Sequence, residues 1–220
     1  MTPRIVVAID GPAGAGKSTL ARRLAESLDL PHVNTGAMYR AVTMLALRSG
    51  VDLDDVESLT RIASGLRFDV SSTGHPRTLL IDGREPGAEL ADAVVEARVS
   101  VVAAHPDVRQ ILRAEQRRLG REGAVMEGRD IGSIVFPDAD VKIFLEAPRD
   151  ERVARRVRER TSDHASEVAG SLGRRDSLDQ RVNPFVPASD AVRIDTGTRD
   201  AEEVLRDALR IVASRTRGRA

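Results

Sequence analysis

The sequence predicts an α/β protein: a five-stranded parallel sheet with helices on both faces. Three observations carry this. Apolar runs recur at 4–10, 31–34, 123–128, 141–147 and 191–197, and segments with helical apolar spacing lie between them. The first run leads at once into the glycine-rich stretch GPAGAGKST (11–19), which opens a helical pattern. The chain has 220 residues, 41% of them hydrophobic, enough to bury one such core.

RIVVAID (4–10) is continuously apolar and rich in β-branched residues, as a strand buried on both faces should be. Residues 18–28 place Leu20, Ala21, Leu24, Ala25 and Leu28 at helical spacing. Further helices are expected at 36–49 and 53–64. RFDVSST and TLLIDG flank GHPR, which predicts a β-hairpin over 67–83. Helices over 88–104, 106–120 and 200–215 complete the pattern. Residues 66–87 interrupt the strand–helix alternation and read as part of an inserted subdomain. There is no internal repeat and no low-complexity segment.

Composition excludes several classes. Lys and Arg number 34, as do Asp and Glu, so the net charge is zero. Bulk attraction to a nucleic acid polymer or a membrane surface is not indicated. The absence of cysteine excludes disulfides and thiolate metal sites. No apolar run approaches the roughly 20 residues of a membrane helix. The opening residues MTPRIVVAID carry no signal-peptide pattern, so the expected location is the cytoplasm.

The stretch 11–19 has the form G-x-x-x-x-G-K-[ST], with Gly11, Gly16, Lys17 and Ser18 in the marked places. Glycines let successive amides turn inward on a phosphate with no Cβ in the way. The helix N-terminus beyond adds positive potential. Only Lys17 and Lys142 are lysines in this arginine-rich chain. A compact ammonium follows β- and γ-phosphates where a planar guanidinium is too broad. Gly11, Pro12, Ala13, Gly14, Ala15, Gly16, Lys17, Ser18 and Thr19 are therefore the expected ATP contacts, with Lys17 catalytic and the Ser18 hydroxyl directed at Mg²⁺. The loop alone leaves switch proteins, motors and kinases open.

Other stretches narrow the choice. NTGAMYR (34–40) sets Thr35 and Arg40 near a helix start, an anion site or a cap with a surface arginine. EGRD (127–130) places Glu127, Arg129 and Asp130 at the C-terminal end of a strand, the edge where open α/β sheets bind ligands. Glu127 is suited to a Mg²⁺-bound water. Arginines at 149, 152, 155, 156, 158 and 160 make either a solvated helix face or a set that closes over ATP and neutralises charge on the moving phosphoryl group. His32, His75, His105 and His164 lack ligand spacing and read as structural or surface groups; Tyr39 reads as packing.

IDGPAGAGKST, NTGAMYR, SVVAAHPDVR, EGRDIGSIVFPDADVKIFL and RRDSLDQR stand in an order and spacing that resemble bacterial cytidylate kinases from end to end. The resemblance implies a P-loop nucleoside monophosphate kinase fold in one domain, an acceptor-binding insertion at 66–104, and a short lid at 152–165. It implies transfer of the ATP γ-phosphoryl group to CMP or dCMP with Mg²⁺. By the same resemblance Ser100, Arg109 and Asp130 read the cytosine. Thr35, Arg40 and Arg129 hold the acceptor, chiefly its phosphate. Arg175, Asp179 and Arg181 serve its sugar side, and Arg129, Arg155 and Arg158 join Lys17 in catalysis. The chemistry is consistent: a carboxylate suits the N4 donor of cytosine, and arginine and serine suit its N3 and O2 acceptors. The expected partners are ATP and CMP or dCMP only, and the expected state is a monomer.

Three places depart from the resembling pattern. Asn34 stands where an aspartate is usual, and Leu90-Ala91 replaces an Ile-Arg pair. The segment after Asp179 is about two residues short, so Arg181 follows Asp179 by two positions. On a continuing helix that spacing turns Arg181 by about 200° away. The favoured reading ends the helix at Asp179 or Gln180, near Asn183-Pro184, so that Arg181 swings back. Two other functions compete: a kinase for another monophosphate such as AMP or UMP, and an ATP-binding regulatory protein without an acceptor. The paired acceptor arginines and the arginine run favour an enzyme.

Overall fold

A computed structural model describes residues 4–159, 165–182 and 186–217. The chain runs β1 (Val6–Asp10), α1 (Lys17–Leu28), β2 (His32–Asn34), α2 (Thr35–Arg48), α3 (Val56–Gly65), β3 (Phe68–Val70) and β4 (Leu79–Ile81). It continues through α4 (Ala93–Ala104), α5 (Pro106–Gly120), β5 (Ala124–Gly128), β6 (Val141–Glu146), α6 (Arg149–Glu159), α7 (Ala165–Val182), β7 (Val192–Asp195) and α8 (Ala201–Thr216). The main sheet has the order β2-β5-β1-β6-β7, and every pairing in it is parallel. The five-stranded α/β reading is correct.

The apolar runs are continuous because both faces of the sheet are covered. Ala8, Ala124 and Met126 join α2, α3 and α5 in one core, while Val7, Ile9 and Val125 join α1 and α8 in the other. Successive strand residues point to opposite faces, so both layers are apolar along most of the sheet, with the buried Lys142 of β6 and the strand-end carboxylates Asp10 and Glu127 as exceptions. From β1 the chain goes to β2 on one side, and after β5 it crosses β1 to β6 on the other. That reversal opens a crevice beyond the strand ends, the usual ligand position in such sheets.

The expected hairpin is the antiparallel pair β3–β4, and it reaches the main sheet through a bridge between His32 and Thr78. The helix expected over 88–104 is instead broken. Residues Ala88–Ala91 form a single 3-10 turn, and the Asp92 carboxylate caps α4 by accepting from the Val94 amide. Aspartate competes for local amides in this way and so favours helix starts over interiors. The expectation that the helix after 165 stops at Asp179 or Gln180 is overturned, since α7 runs through Val182. Pro184 disfavours helix at the residue before it, which leaves Arg181 and Val182 free to stay helical.

One element has no signature in the periodicity. Ile131–Val135 form a π-helical turn directly after β5. Its first amides, from Ile131 and Gly132, donate to the two carboxylate oxygens of Asp10 at 2.8 Å each. Burial pushes the Asp10 carboxyl up to about 6, and these two amide bonds only partly oppose it.

Candidate active site

The glycine-rich loop joins β1 to α1. Gly11 has φ 148°, and a Cβ there would sit 2.4 Å from the Leu145 carbonyl oxygen on β6. Gly16 ends the loop in the left-handed region at φ 87°, and no side chain caps α1. The first amides of α1 are thus left for an anion. The loop carbonyls are tied from behind: Arg152 Nη1 donates to Ala13 at 2.9 Å, Thr196 Oγ1 to Ala15 at 3.0 Å, and Lys17 Nζ to Pro12 at 2.7 Å.

Ser18 Oγ donates to Glu127 Oε2 at 2.8 Å, and His32 Nε2 lies 3.0 Å from the other oxygen, Oε1. Burial alone would push the Glu127 carboxyl up. The His32 contact, the Lys17 charge and the Ser18 hydroxyl outweigh it and hold Glu127 below the usual carboxylate range. Among the described residues no group of three or more His, Cys, Asp or Glu could hold a metal alone. A hydroxyl beside one ionised carboxylate, with phosphates to complete the shell, fits Mg²⁺.

The side of the cleft away from the loop is built from side-chain pairs. Thr35 Oγ1 donates to the Glu127 carbonyl at 2.7 Å, which fixes the start of α2 against the end of β5. Arg40 reaches back along α2. Its Nε is buried without a partner, and burial pulls its guanidinium down from the ordinary value, against the pull of Glu96 and Glu127. Arg129 donates to Asp179 Oδ2 at 3.0 Å and to the Gly11 carbonyl at 2.6 Å. Ser100 Oγ donates to the other oxygen of Asp179 at 2.6 Å. Arg109 and Arg113 both donate to Asp130 Oδ2.

The arginine run divides. Arg152 is buried and bonded to Asp176 at 2.8 Å as well as to the loop. Arg155 donates to Thr196 Oγ1 at 3.1 Å and to the Gly197 carbonyl at 3.0 Å. Arg156 bonds Glu96 on α4. Arg158 is exposed and donates to the Ala154 carbonyl of its own helix at 3.3 Å. The run is therefore not simply a solvated face: Arg152 is part of the loop support. Arg160 and the rest of the expected lid to 164 lie outside the described residues, as do the side chains of Arg175 and Arg181.

A cleft of about 520 Å³ collects the rest. Residues 13–19 of the loop line it, together with Thr35, Arg40, Ser100, Arg109, Glu127, Arg129, Asp130, Arg155, Arg158 and Asp179. Gly11 and Pro12 shape the loop from behind and do not line the cleft.

Sequence reading missed several participants. His32 reaches Glu127 because β2 and β5 pair in register, His32 opposite Val125, a proximity no linear spacing reveals. Tyr39 lines the cleft, and burial pushes its hydroxyl up to about 12. Thr196 belongs to the expected strand end at 191–197 and ties it to the loop. Asn34, the departure from the resembling pattern, caps α2 by accepting from the Ala37 amide at 3.0 Å.

Comparison with known proteins agrees with this architecture. The family model for cytidylate kinase matches residues 7–214. The chain is 42% identical to the cytidylate kinase of Rhodococcus jostii (strain RHA1), over 98% of this chain and 97% of that one. It is 41% identical to the cytidylate kinase of Geobacillus kaustophilus (strain HTA426), over 98% and 99% of the two chains. It is also 44% identical to the bifunctional pantoate ligase/cytidylate kinase of Synechococcus sp. (strain JA-2-3B'a(2-13)), over 91% of this chain and 39% of that longer protein. With a glycine-rich loop and arginine–carboxylate pairs facing one cleft, and a family match that spans nearly its whole length, the chain belongs to the cytidylate kinase family.

Proposed function

We infer that the protein transfers the γ-phosphoryl group of ATP to CMP or dCMP, giving ADP and CDP or dCDP. The observation that carries this is the shared cleft: Lys17 and the loop amides at one end, Asp130 with Arg109 at the other. The ATP β- and γ-phosphates lie along residues 13–18. An oxygen of the acceptor phosphate attacks the γ-phosphorus in line, the bond to the β,γ-bridging oxygen breaks, and ADP leaves with that electron pair. Lys17 moves from the Pro12 carbonyl to the phosphates and stabilises charge gathering on the leaving oxygen. Arg155 and Arg158 approach from α6 and add positive charge. Mg²⁺, held through Ser18 and a water on Glu127, would neutralise the β- and γ-oxygens.

On the acceptor side Arg40 and Arg129 hold the CMP phosphate, with Thr35 beside them. Arg40 is suited to this, because a buried guanidinium with an unpartnered Nε gains most from an anion. Asp130 accepts from the cytosine amino group, and Arg109 and Ser100 donate to N3 and O2. Uracil presents an oxygen where cytosine has the amino group, so the carboxylate repels it. Asp179 faces the sugar, with Arg175 one helical turn before it, and the continuation of α7 through Val182 removes the helix end on which the sugar-side role of Arg181 rested. Closing residues 66–104 and 152–165 over both nucleotides would exclude water. No helix in the described residues is long and apolar enough to cross a membrane. The reading places the enzyme in the cytoplasm as a monomer.

A coupled assay for ADP with ATP, Mg²⁺ and a panel of monophosphates tests the reading. CMP and dCMP should turn over well, with UMP and AMP far behind. Equal rates on AMP or UMP would favour another monophosphate kinase. Nucleotide binding without turnover of any acceptor would favour a regulatory protein.

A further inference from the structure

Arg113 follows Arg109 by one turn of α5, so the two side chains leave the helix on the same side. Both donate to one oxygen, Asp130 Oδ2, at 2.5 Å from Arg113 and 3.1 Å from Arg109. The other oxygen, Oδ1, takes part in neither bond. The two arginines differ in where they stand. Arg109 and Asp130 line the cleft, and Arg113 does not. The shorter bond thus belongs to the arginine behind the site. Its Nε is buried without a partner, so Asp130 is the group that holds its guanidinium.

This arrangement answers an energetic difficulty. All three side chains are largely buried, with 13% of Arg109, 20% of Arg113 and 12% of Asp130 exposed. If Arg109 were the sole cation on Asp130, turning it to the base would strand a buried carboxylate, which is strongly unfavourable. A second cation on Oδ2 removes that penalty. Guanidinium groups only donate, so with Arg113 on Oδ2 the carboxylate presents acceptors, and nothing else, to the base.

We propose that Arg113 is a positioning residue for pyrimidine choice: anchored behind Asp130, it holds the carboxylate as an acceptor for the cytosine amino group and releases Arg109 to the base. This rests on the reading of Asp130 and Arg109 as base contacts. It makes specificity a property of three charges, of which one never touches the nucleotide.

The test compares Arg113→Met, Arg113→Lys and Asp130→Asn with wild type, using kcat/KM for CMP and UMP. Tyr39 is the single tyrosine in a chain without tryptophan, and it lines the cleft. Its fluorescence therefore gives a CMP Kd independent of turnover. Arg113→Met should raise the CMP Kd and KM about tenfold and lower the CMP:UMP preference about tenfold, the size of one lost charged hydrogen bond. The ATP KM, and kcat at saturating CMP, should stay near wild type. Arg113→Lys, which restores a cation behind Oδ2, should recover most of the preference. If R113K is no better than R113M, the charge behind the carboxylate is not the cause and the proposal falls. Arg113→Gln replaces R113M should the latter not fold, and a wild-type preference in either neutral variant overturns the proposal. Asp130→Asn separates the two levels. If it loses the preference while R113M keeps it, only Arg113 is misassigned; if both keep it, the base site itself is misread.

Discussion

In the proposed reading, the two ends of the cleft hold their ligands by different means. At the donor end the backbone does most of the work. The loop of 11–16 is shaped by Gly11 and Gly16 at positive φ and braced by Arg152 and Thr196 from α6 and the end of β7. At the acceptor end the binding groups are side chains, and they are already paired with each other: Arg129 and Ser100 with Asp179, Arg109 and Arg113 with Asp130. A triphosphate is recognised by charge and needs a fixed cradle. A base is recognised by direction of donors and acceptors, and these groups can be exchanged when it arrives. The donor end is therefore pre-formed, and the acceptor end is held in reserve by its own ion pairs.

Lys17→Ala would break the donor end most severely. A loss of about 10³-fold or more in kcat, roughly 4 kcal/mol, is expected, because a full charge is removed from the breaking bond. Thermal unfolding should stay near wild type. Lys17→Arg should be nearly as damaging, and a variant with most of its kcat would refute the shape argument. Next comes the brace: Arg152→Ala leaves Asp176 and the Ala13 carbonyl without their partner. Removing one member of a pair whose side chains are 9% and 15% exposed should cost about 3 kcal/mol in denaturant unfolding.

Asp10 joins the two ends, since it precedes the loop and caps the π-turn after Asp130. Its native carboxyl is pushed up to about 6 from an ordinary 3.8, so the native state holds this proton more tightly than the unfolded chain. Its contribution to stability is complete below about pH 4 and is lost as pH rises through about 6, up to an order of 3 kcal/mol across the window. In urea titrations, wild type should gain on Asp10→Asn as the pH falls from about 7 to about 5. A constant difference would mean that no charge is buried there.

Asp130→Asn addresses the acceptor end alone. The CMP:UMP preference should fall by about 1–3 kcal/mol, since an amide presents either a donor or an acceptor. Unchanged preference in kcat/KM would remove Asp130 from the base site. The smallest effect on folding is expected from Arg158→Ala, within about 0.5 kcal/mol, because the side chain is exposed and, among the described residues, its hydrogen bond is to its own helix. If Arg158 acts in transfer, its kcat should fall while the CMP KM holds. A wild-type kcat would leave Arg155 as the acting arginine of α6.

The sheet and the loop were legible in the sequence because their causes are local. Continuous apolar runs mark strands covered on both faces, and GPAGAGKST needs its glycines where the backbone turns and its lysine at the phosphates. The five motifs likewise marked Thr35, Arg40, Ser100, Arg109, Glu127, Arg129, Asp130 and Asp179, all of which line the cleft. The end of α7 was misjudged by two or three residues, because a proline constrains chiefly the residue before it.

What only the tertiary structure decided is which of many like-charged groups meet. The chain has 34 basic residues, and nothing in their order distinguishes Arg152 as a brace, Arg156 as the partner of Glu96, or Arg113 as the second cation on Asp130. Nor does it set His32 on Glu127. These pairings depend on strand register, on where α4, α5 and α6 pack, and on which charges that packing buries. Periodicity and motif chemistry act over a few residues, whereas a buried charge takes its partner from whatever element lies across the cleft.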